Sequence, residues 1–246
     1  MNKTSSFIYG LRPVIEAIRE GRHIDCILIR RGLQGQVYHE LMKEIRANGI
    51  PYQFVPGERI DFYTKKNHQG VLALMSLIEY QEINNIVPAI YENGEEPLII
   101  CLDGVSDVRN FGAIVRSAAC MGAHAIMIPE KGSAGITADS IKTSAGALTN
   151  FPVCRVKSII RGVTYLKESG LKIVCAEEKS GMIVYKSDLT GPVAIIMGSE
   201  ERGIRKELLT LADLKVKIPI TGTIGSLNVS VAAGILLYEI SRQRSK

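Results

Sequence analysis

Residues 218–240 read IPITGTIGSLNVSVAAGILLYEI. In the second half, Leu227, Val229, Val231, Ile235, Leu236, Leu237 and Ile240 leave almost no polar face, which predicts a buried helix. Its mouth differs. Gly222 and Gly225 lie in a loop, and Ser226 and Asn228 stand where loop becomes helix. Ser226 is expected as the N-cap, its hydroxyl accepting from an orphan backbone N–H of the first turn. Asn228 would then sit inside that turn, where asparagine is a mediocre helix former. A residue that helix propensity does not explain is a candidate for chemistry.

Upstream, LKVKIPI (214–220) reads as a strand, and it has company. PLIICLD (97–103), HAIMI (124–128), FPVCRV (151–156), LKIVCAE (171–177) and PVAIIMG (192–198) are further apolar runs, with helical patterns between several of them. Continuous apolar strands alternating with helices predict a doubly wound α/β fold, its parallel sheet covered on both faces. The first section alternates in the same way: helix at 11–20, strand at 24–30, helix at 36–49, strand at 51–55, short helix at 56–66 and strand at 70–77. That makes a small α/β domain over residues 1–78, within the size range of independent domains. Residues 79–96 turn polar and acidic, with a weak helical pattern at Ile83, Ile86 and Ile90, and read as a linker holding one helix or a fragment. The second domain is expected over 97–246.

Composition narrows the class. A length of 246 residues allows one large domain or two modest ones, and a net charge of +5 permits a polyanionic partner without requiring one. Cys26, Cys101, Cys120, Cys154 and Cys175 form no C-x-x-C pair, which fits a reducing compartment and argues against a disulfide framework or zinc site. His23, His39, His68 and His124 lack metal-ligand spacing, so no metal is expected. The N-terminus carries Arg12, Glu16 and Arg19 where a signal peptide needs an apolar run, and no run is long enough to span a bilayer. A cytoplasmic protein with no membrane partner is expected.

In an open parallel sheet, ligands bind beyond the carboxyl ends of the strands, so the segments that follow strands matter most. After LIICLD comes GVSDVRNFGAIVRSAACMG, with Asn110 as a plausible N-cap and Gly112 allowing close backbone approach. Arg116 has small uncharged residues at i±3 and i±4, namely Gly112, Ala113, Ala119 and Cys120. A solvated arginine is the usual case on a helix; such neighbours leave an anion or hydroxyl contact equally open. Asn110 and Arg116 are about 120° apart around a helix, so they cooperate only through the cap's position and the arginine's reach. After PVAIIM, Gly198 and Gly203 bracket Glu200 in a turn, while Glu201 and Arg202 read as exposed loop residues. Neither a G-x-G-x-x-G nor a G-K-[ST] loop is present, which leaves a conventional dinucleotide or nucleotide-triphosphate site unsupported. EKGSAGIT (130–137) is a glycine loop that alone is a weak signal.

These segments, in this order, resemble the three signature motifs of the SpoU family of RNA 2′-O-ribose methyltransferases. The first runs from Asp103 to Arg116, the second is IIMGSEERGI and the third is IPITGTIGSLNVSVAAGILLYE. YGLRPVIEAI and HQGVLAL resemble the substrate-binding N-terminal domain of the family's ribosomal-RNA branch, so the resemblance covers most of the chain. One departure is visible: where the family often has Asp-Pro-x-Asn, this chain has Asp107-Val108-Arg109-Asn110, losing a fixed φ but no candidate catalytic residue.

The resemblance implies a C-terminal domain tied in a deep trefoil knot, a fold that general topology would not anticipate. It implies S-adenosylmethionine as cofactor, with Gly198, Ile218, Ile220, Ser226 and Leu227 contacting it, and a homodimer with the motif-three helix at the interface. It implies catalytic roles for Asn110, Arg116, Glu200 and Asn228. Arg116 would contact the 2′-oxygen or an adjacent phosphate, Asn110 and Asn228 would orient the hydroxyl and the arginine, and Glu200 would fix the arginine or ribose. The expected substrate is a guanosine of large-subunit ribosomal RNA. A transfer RNA, or a non-catalytic RNA-binding role, is the alternative.

Overall fold

The computed structural model describes residues 7–245. They form two compact units, one comprising the described residues up to Glu79 with Ile136–Ala138, the other Tyr80–Gly135 with the chain from Asp139 on.

In the first unit, strands β1 (Phe7–Tyr9), β2 (Ile24–Arg30), β3 (Tyr52–Val55) and β4 (Val71–Met75) alternate with helices α1 (Leu11–Arg19), α2 (Gln36–Ala47) and α3 (Gly57–Asp61). The sheet order is β1-β4-β2-β3, with β2 and β3 parallel and the other pairings antiparallel. Val14, Ile15 and Ile18 of α1 meet Leu41 and Ile45 of α2 over Ile27, Ile29, Val71 and Ala73, all buried. The HQG stretch has a structural task. His68 Nδ1 accepts from the Gly70 N–H at 3.0 Å while Nε2 faces Asp61 Oδ1 at 2.9 Å. Gln69, at φ 52°, accepts the Leu11 N–H at 3.0 Å and so caps α1, whose own N-cap, Gly10, has no side chain to offer.

The second unit is built on α4 (Ile83–Glu92), β5 (Leu98–Asp103), α5 (Val108–Cys120), β6 (Ala125–Pro129), α6 (Ala138–Thr143, of this unit from Asp139 on), β7 (Val153–Val156), α7 (Ile159–Glu168), β8 (Lys172–Ala176), β9 (Met182–Ile183), β10 (Val193–Gly198), α8 (Lys206–Leu211), β11 (Leu214–Lys217) and α9 (Val229–Arg244). Its seven strands run β7-β6-β5-β10-β8-β11-β9, and every pairing is parallel. The apolar strands expected from the sequence all appear. On one face Ile99, Cys101, Ile173 and Ile196 pack with α4, α7 and α8; the alternate residues Ile100 and Leu102 are equally buried, so both faces are covered. The segment read as a linker holds α4, whose Ile83, Val87 and Ile90 join that core at helical spacing.

Two features position the site. The chain runs outward from β5 through β6 to β7, then returns to insert β10 between β5 and β8, so the strand order reverses at the β5–β10 pair. Asp103 and Gly198, their last residues, are register partners. That is the crevice where an open α/β sheet takes a ligand. Helix α9 corrects an expectation: it is not buried all round. Ala233, Leu236, Leu237 and Ile240 are buried, but Val231, Ile235 and Tyr238, at i, i+4 and i+7, form an exposed stripe.

Candidate active site

The end of β5 leads into α5. Asp107 caps that helix, its Oδ1 accepting the N–H groups of Arg109 at 2.9 Å and Asn110 at 2.8 Å. This corrects the assignment of Asn110 as the cap. The first turn begins at Val108, where the family's proline would stand, and the Asp107 carboxylate holds it there without the fixed φ. Asn110 is thereby relieved of capping, and its side chain is available. Gly112 follows because a Cβ there would stand 2.7 Å from the Ser140 carbonyl oxygen and 2.9 Å from Thr143 Cβ. The close approach it allows is between α5 and α6.

The end of β10 forms a tight loop. A Cβ on Gly198 would collide with the carbonyl of Gly203 and the nitrogen of Ile204, so only glycine lets the loop fold back on its strand. Gly203, at φ 65°, donates its N–H to Ser199 O at 2.8 Å, and the Arg202 N–H donates to Ser199 Oγ at 3.1 Å. Asp103, only 4% exposed, fastens the loop's exit by accepting from the backbone N–H of Arg205 at 2.9 Å, from its Nε at 2.8 Å and from its Nη2. The carboxylate in turn raises the Arg205 pKa further. Sequence reasoning placed Asp103 in the first motif but had no means of assigning this partner.

The start of α9 completes the cluster, and it overturns the reading of Ser226 as the cap. Asn228 is the N-cap: its Oδ1 accepts from the Ser230 N–H at 2.9 Å and the Ser230 hydroxyl at 2.6 Å. Its Nδ2 donates to Asn110 Oδ1 at 3.0 Å and to Glu200 Oε1 at 2.8 Å. The Asn110 Nδ2 donates to the same Glu200 oxygen at 3.1 Å, and the Val229 N–H points at it from 3.5 Å. Three segments far apart in sequence thus converge on one carboxylate oxygen. Asn110 and Glu200 of this cluster line a pocket of about 740 Å³ bounded also by the Asp103–Asp107 loop, Lys131 and Gly132, the Ser199–Arg205 loop and Val229.

Not every candidate joins it. Arg116 lies six residues farther along α5, about 9 Å up the helix axis, exposed and without a hydrogen-bond or ionic partner among the described residues. Gly198 and Ile218 are half-buried, while Ile220, Ser226 and Leu227 are exposed. Residues 219–227 make no hydrogen bond among the described residues, and Ile220, Ile224 and Leu227 hold apolar side chains in solvent. No group of three His, Cys, Asp or Glu among the described residues is arranged to hold a metal ion.

The SpoU rRNA Methylase family model matches residues 97–238, and the model for RNA 2′-O ribose methyltransferase substrate binding matches residues 7–81. The chain belongs to the SpoU family. A SpoU relative from Yersinia pestis, a 23S rRNA (guanosine-2′-O-)-methyltransferase named RlmB, is 35% identical over 98% of both chains. A putative TrmH family tRNA/rRNA methyltransferase from Bacillus subtilis, YacO, is 32% identical over 100% of this chain and 98% of its own. Among solved structures, the SpoU methyltransferase AviRb from Streptomyces viridochromogenes, in complex with the cofactor AdoMet, aligns with a TM-score of 0.60 at 26% identity, covering 96% of this chain and 89% of that one.

Proposed function

We propose that this protein transfers a methyl group from S-adenosylmethionine to the ribose 2′-hydroxyl of a guanosine in large-subunit ribosomal RNA. The observation that carries the reading is the convergence of Asn110, Glu200 and Asn228 at the carboxyl end of the β5–β10 pair. Similarity to the Yersinia relative along almost the whole chain favours ribosomal RNA over transfer RNA. Such a substrate would place the reaction in the cytoplasm. Residues 1–78 are assigned to RNA capture and 97–246 to a knotted catalytic domain, with 79–96 between them.

The chain's own residues fit the cofactor. An adenosyl group has flat apolar faces and a polar edge, and residues 219–227 offer uncommitted backbone groups beside the apolar Ile220 and Leu227. Gly198, Ile218, Ile220, Ser226 and Leu227 would hold it. When bound, it supplies an electrophilic methyl on a positively charged sulfur. The protein's task is then to position and activate a hydroxyl. Asn110 and Asn228 orient that hydroxyl, and Glu200 locks both carboxamides through one oxygen. As a guanidinium, Arg116 is a poor base. Unpaired and exposed, it serves better as a stabiliser of the developing oxyanion or a neighbouring phosphate. Pairing of two copies through the exposed stripe Val231, Ile235 and Tyr238 would bury apolar surface that is now wet.

The test combines purified protein, S-adenosylmethionine and unmodified ribosomal or transfer RNA, followed by mapping of 2′-O-methylated positions. A single methylated guanosine in the large-subunit RNA is expected. Modification of transfer RNA alone reassigns the substrate, and cofactor binding without transfer to either RNA overturns the enzymatic reading. Sedimentation equilibrium tests the dimer.

A further inference from the structure

Charge is sorted by side on α2. Its two carboxylates are spent on α1: Glu40 pairs with Arg12 at 3.2 Å and with Arg19 at 2.9 Å, and Glu44 pairs with Arg19 at 2.7 Å. His39, Lys43 and Arg46 lie at i, i+4 and i+7, which places them on one stripe of the helix. All three are exposed, and none has an ionic partner among the described residues. With Tyr38 and Met42 they line a groove of about 350 Å³, where the Tyr38 and His39 rings are 5.6 Å apart. A helix whose anions are neutralised by a neighbour while Lys43 and Arg46 stand free presents one sign of charge to solvent.

Aromatic surface lies on the same side of the sheet. Strand β3 is an edge strand, and Tyr52 and Phe54 are 36% and 46% exposed. Their register partners on parallel β2 are Ile27 and Ile29, which are fully buried in the core beneath α1 and α2. Side chains of register partners share a sheet face, so Tyr52 and Phe54 project on the helix side. Their rings meet edge to face, with centroids 5.6 Å apart and planes at 84°. In that arrangement one ring's edge shields part of the other's face, and the exposure of both residues leaves the remaining π surface open to solvent.

We infer that this face of the N-terminal unit binds single-stranded RNA, with phosphates along the His39–Lys43–Arg46 stripe and unpaired bases stacked on Tyr52 and Phe54. A positively charged track beside aromatic platforms is the arrangement that grips single strands without reading sequence. Phosphates supply the complementary charge, and bases supply a partner for rings that an acidic protein segment would leave unused. The inference rests on the proposed function and deepens it by assigning residues to RNA capture, and its test needs no methyl transfer.

The experiment measures fluorescence anisotropy of a labelled oligouridylate against the full chain, with a duplex of equal length and a polyglutamate peptide as comparison probes. The Lys43→Gln/Arg46→Gln variant is expected to bind oligouridylate about tenfold more weakly near 0.1 M salt. Its log–log salt slope should fall by about 0.7 for each phosphate no longer neutralised. Tyr52→Leu/Phe54→Leu, which keeps apolar bulk but removes the rings, should also weaken binding roughly tenfold while leaving the salt slope in place. S-adenosylmethionine titration of both variants should match the unaltered protein, which separates this inference from a failure of folding or of the catalytic reading. Affinity within about twofold of the unaltered chain in both variants overturns it, as does an unaltered chain that ignores oligouridylate. Tighter binding of the duplex, or equal weakening toward polyglutamate, also overturns it, by reassigning the face to shape recognition or to a generic acidic partner.

Discussion

The mouths of α5 and α9 solve one problem in opposite ways. Each helix needs an acceptor for its orphan N–H groups, and each contributes an asparagine to the Glu200 cluster. In α5 the two tasks are divided: Asp107 caps, and Asn110, three residues later, reaches Glu200. In α9 a single side chain does both, with Asn228 capping through Oδ1 and donating to Glu200 and Asn110 through Nδ2. Divided labour separates stability from chemistry, whereas shared labour ties them together.

The comparison breaks most visibly at Asn228. Asn228→Ala should cut single-turnover methyl transfer by about a hundredfold or more, by analogy with the loss of a site donor. It should also cost about 1 kcal/mol of stability for the cap, read by thermal denaturation. Asn228→Asp restores the acceptor but not the donor and sets two carboxylates together, so stability should recover in part while transfer does not. Equal loss of both in the two variants would show that cap and donor are not separable.

Arg205→Ala comes next. It leaves the nearly buried Asp103 carboxylate without its ion pair. Breaking a buried pair costs about 3–5 kcal/mol, reduced here because the arginine is 44% exposed. The Ser199–Gly203 loop is expected to loosen, with amide exchange at Gly203 accelerated and transfer reduced about tenfold, on the scale of a displaced positioning group. Unchanged exchange would mean that the loop holds its own shape.

Asp107→Ala should have the smallest effect on chemistry. About 1 kcal/mol of stability should be lost while transfer at saturating substrate stays within a few-fold, because Asn110 is held at its other end by Glu200 and Asn228. A collapse of activity as large as that of Asn228→Ala would erase the contrast between the two mouths.

How much of this was written in the sequence depends on range. Strands such as Leu98–Asp103 and Val193–Gly198 are uninterrupted apolar runs and announce themselves. Phe7–Tyr9 and Met182–Ile183 are too short for a period of two to register. The acidic surroundings and Pro88 weaken the pattern of Ile83–Glu92, which reads only as one helix or a fragment within a linker, although its Ile83, Val87 and Ile90 keep helical spacing. Both helix caps were misassigned locally. DVRN contains two residues able to cap and SLNVS three, and the run of apolar residues from Leu227 suggested a start before Asn228. Glu200 decides the matter from elsewhere, since the bonds it accepts span 90 residues to Asn110 and 28 to Asn228. The Asp103–Arg205 pair spans 102 residues, and no local pattern encodes such a distance. The three candidate residues themselves were legible because each follows a strand end; Arg116 was named as well, and the fold leaves it apart from them. The apolar tail of α9 read as core because hydrophobicity does not distinguish a buried neighbour from a wet face.

Asn228 also makes a segment's winding report on a remote carboxylate. The loop before it makes no hydrogen bonds among the described residues, and the helix after it begins at the residue that touches Glu200. Fraying of the first turn and release of Glu200 are therefore a single equilibrium. A ligand that clamps Glu200 should slow hydrogen exchange at Ser230 and Ala232, whose N–H groups both terminate on Asn228. Those two amides would act as a gauge of site occupancy, readable without any turnover.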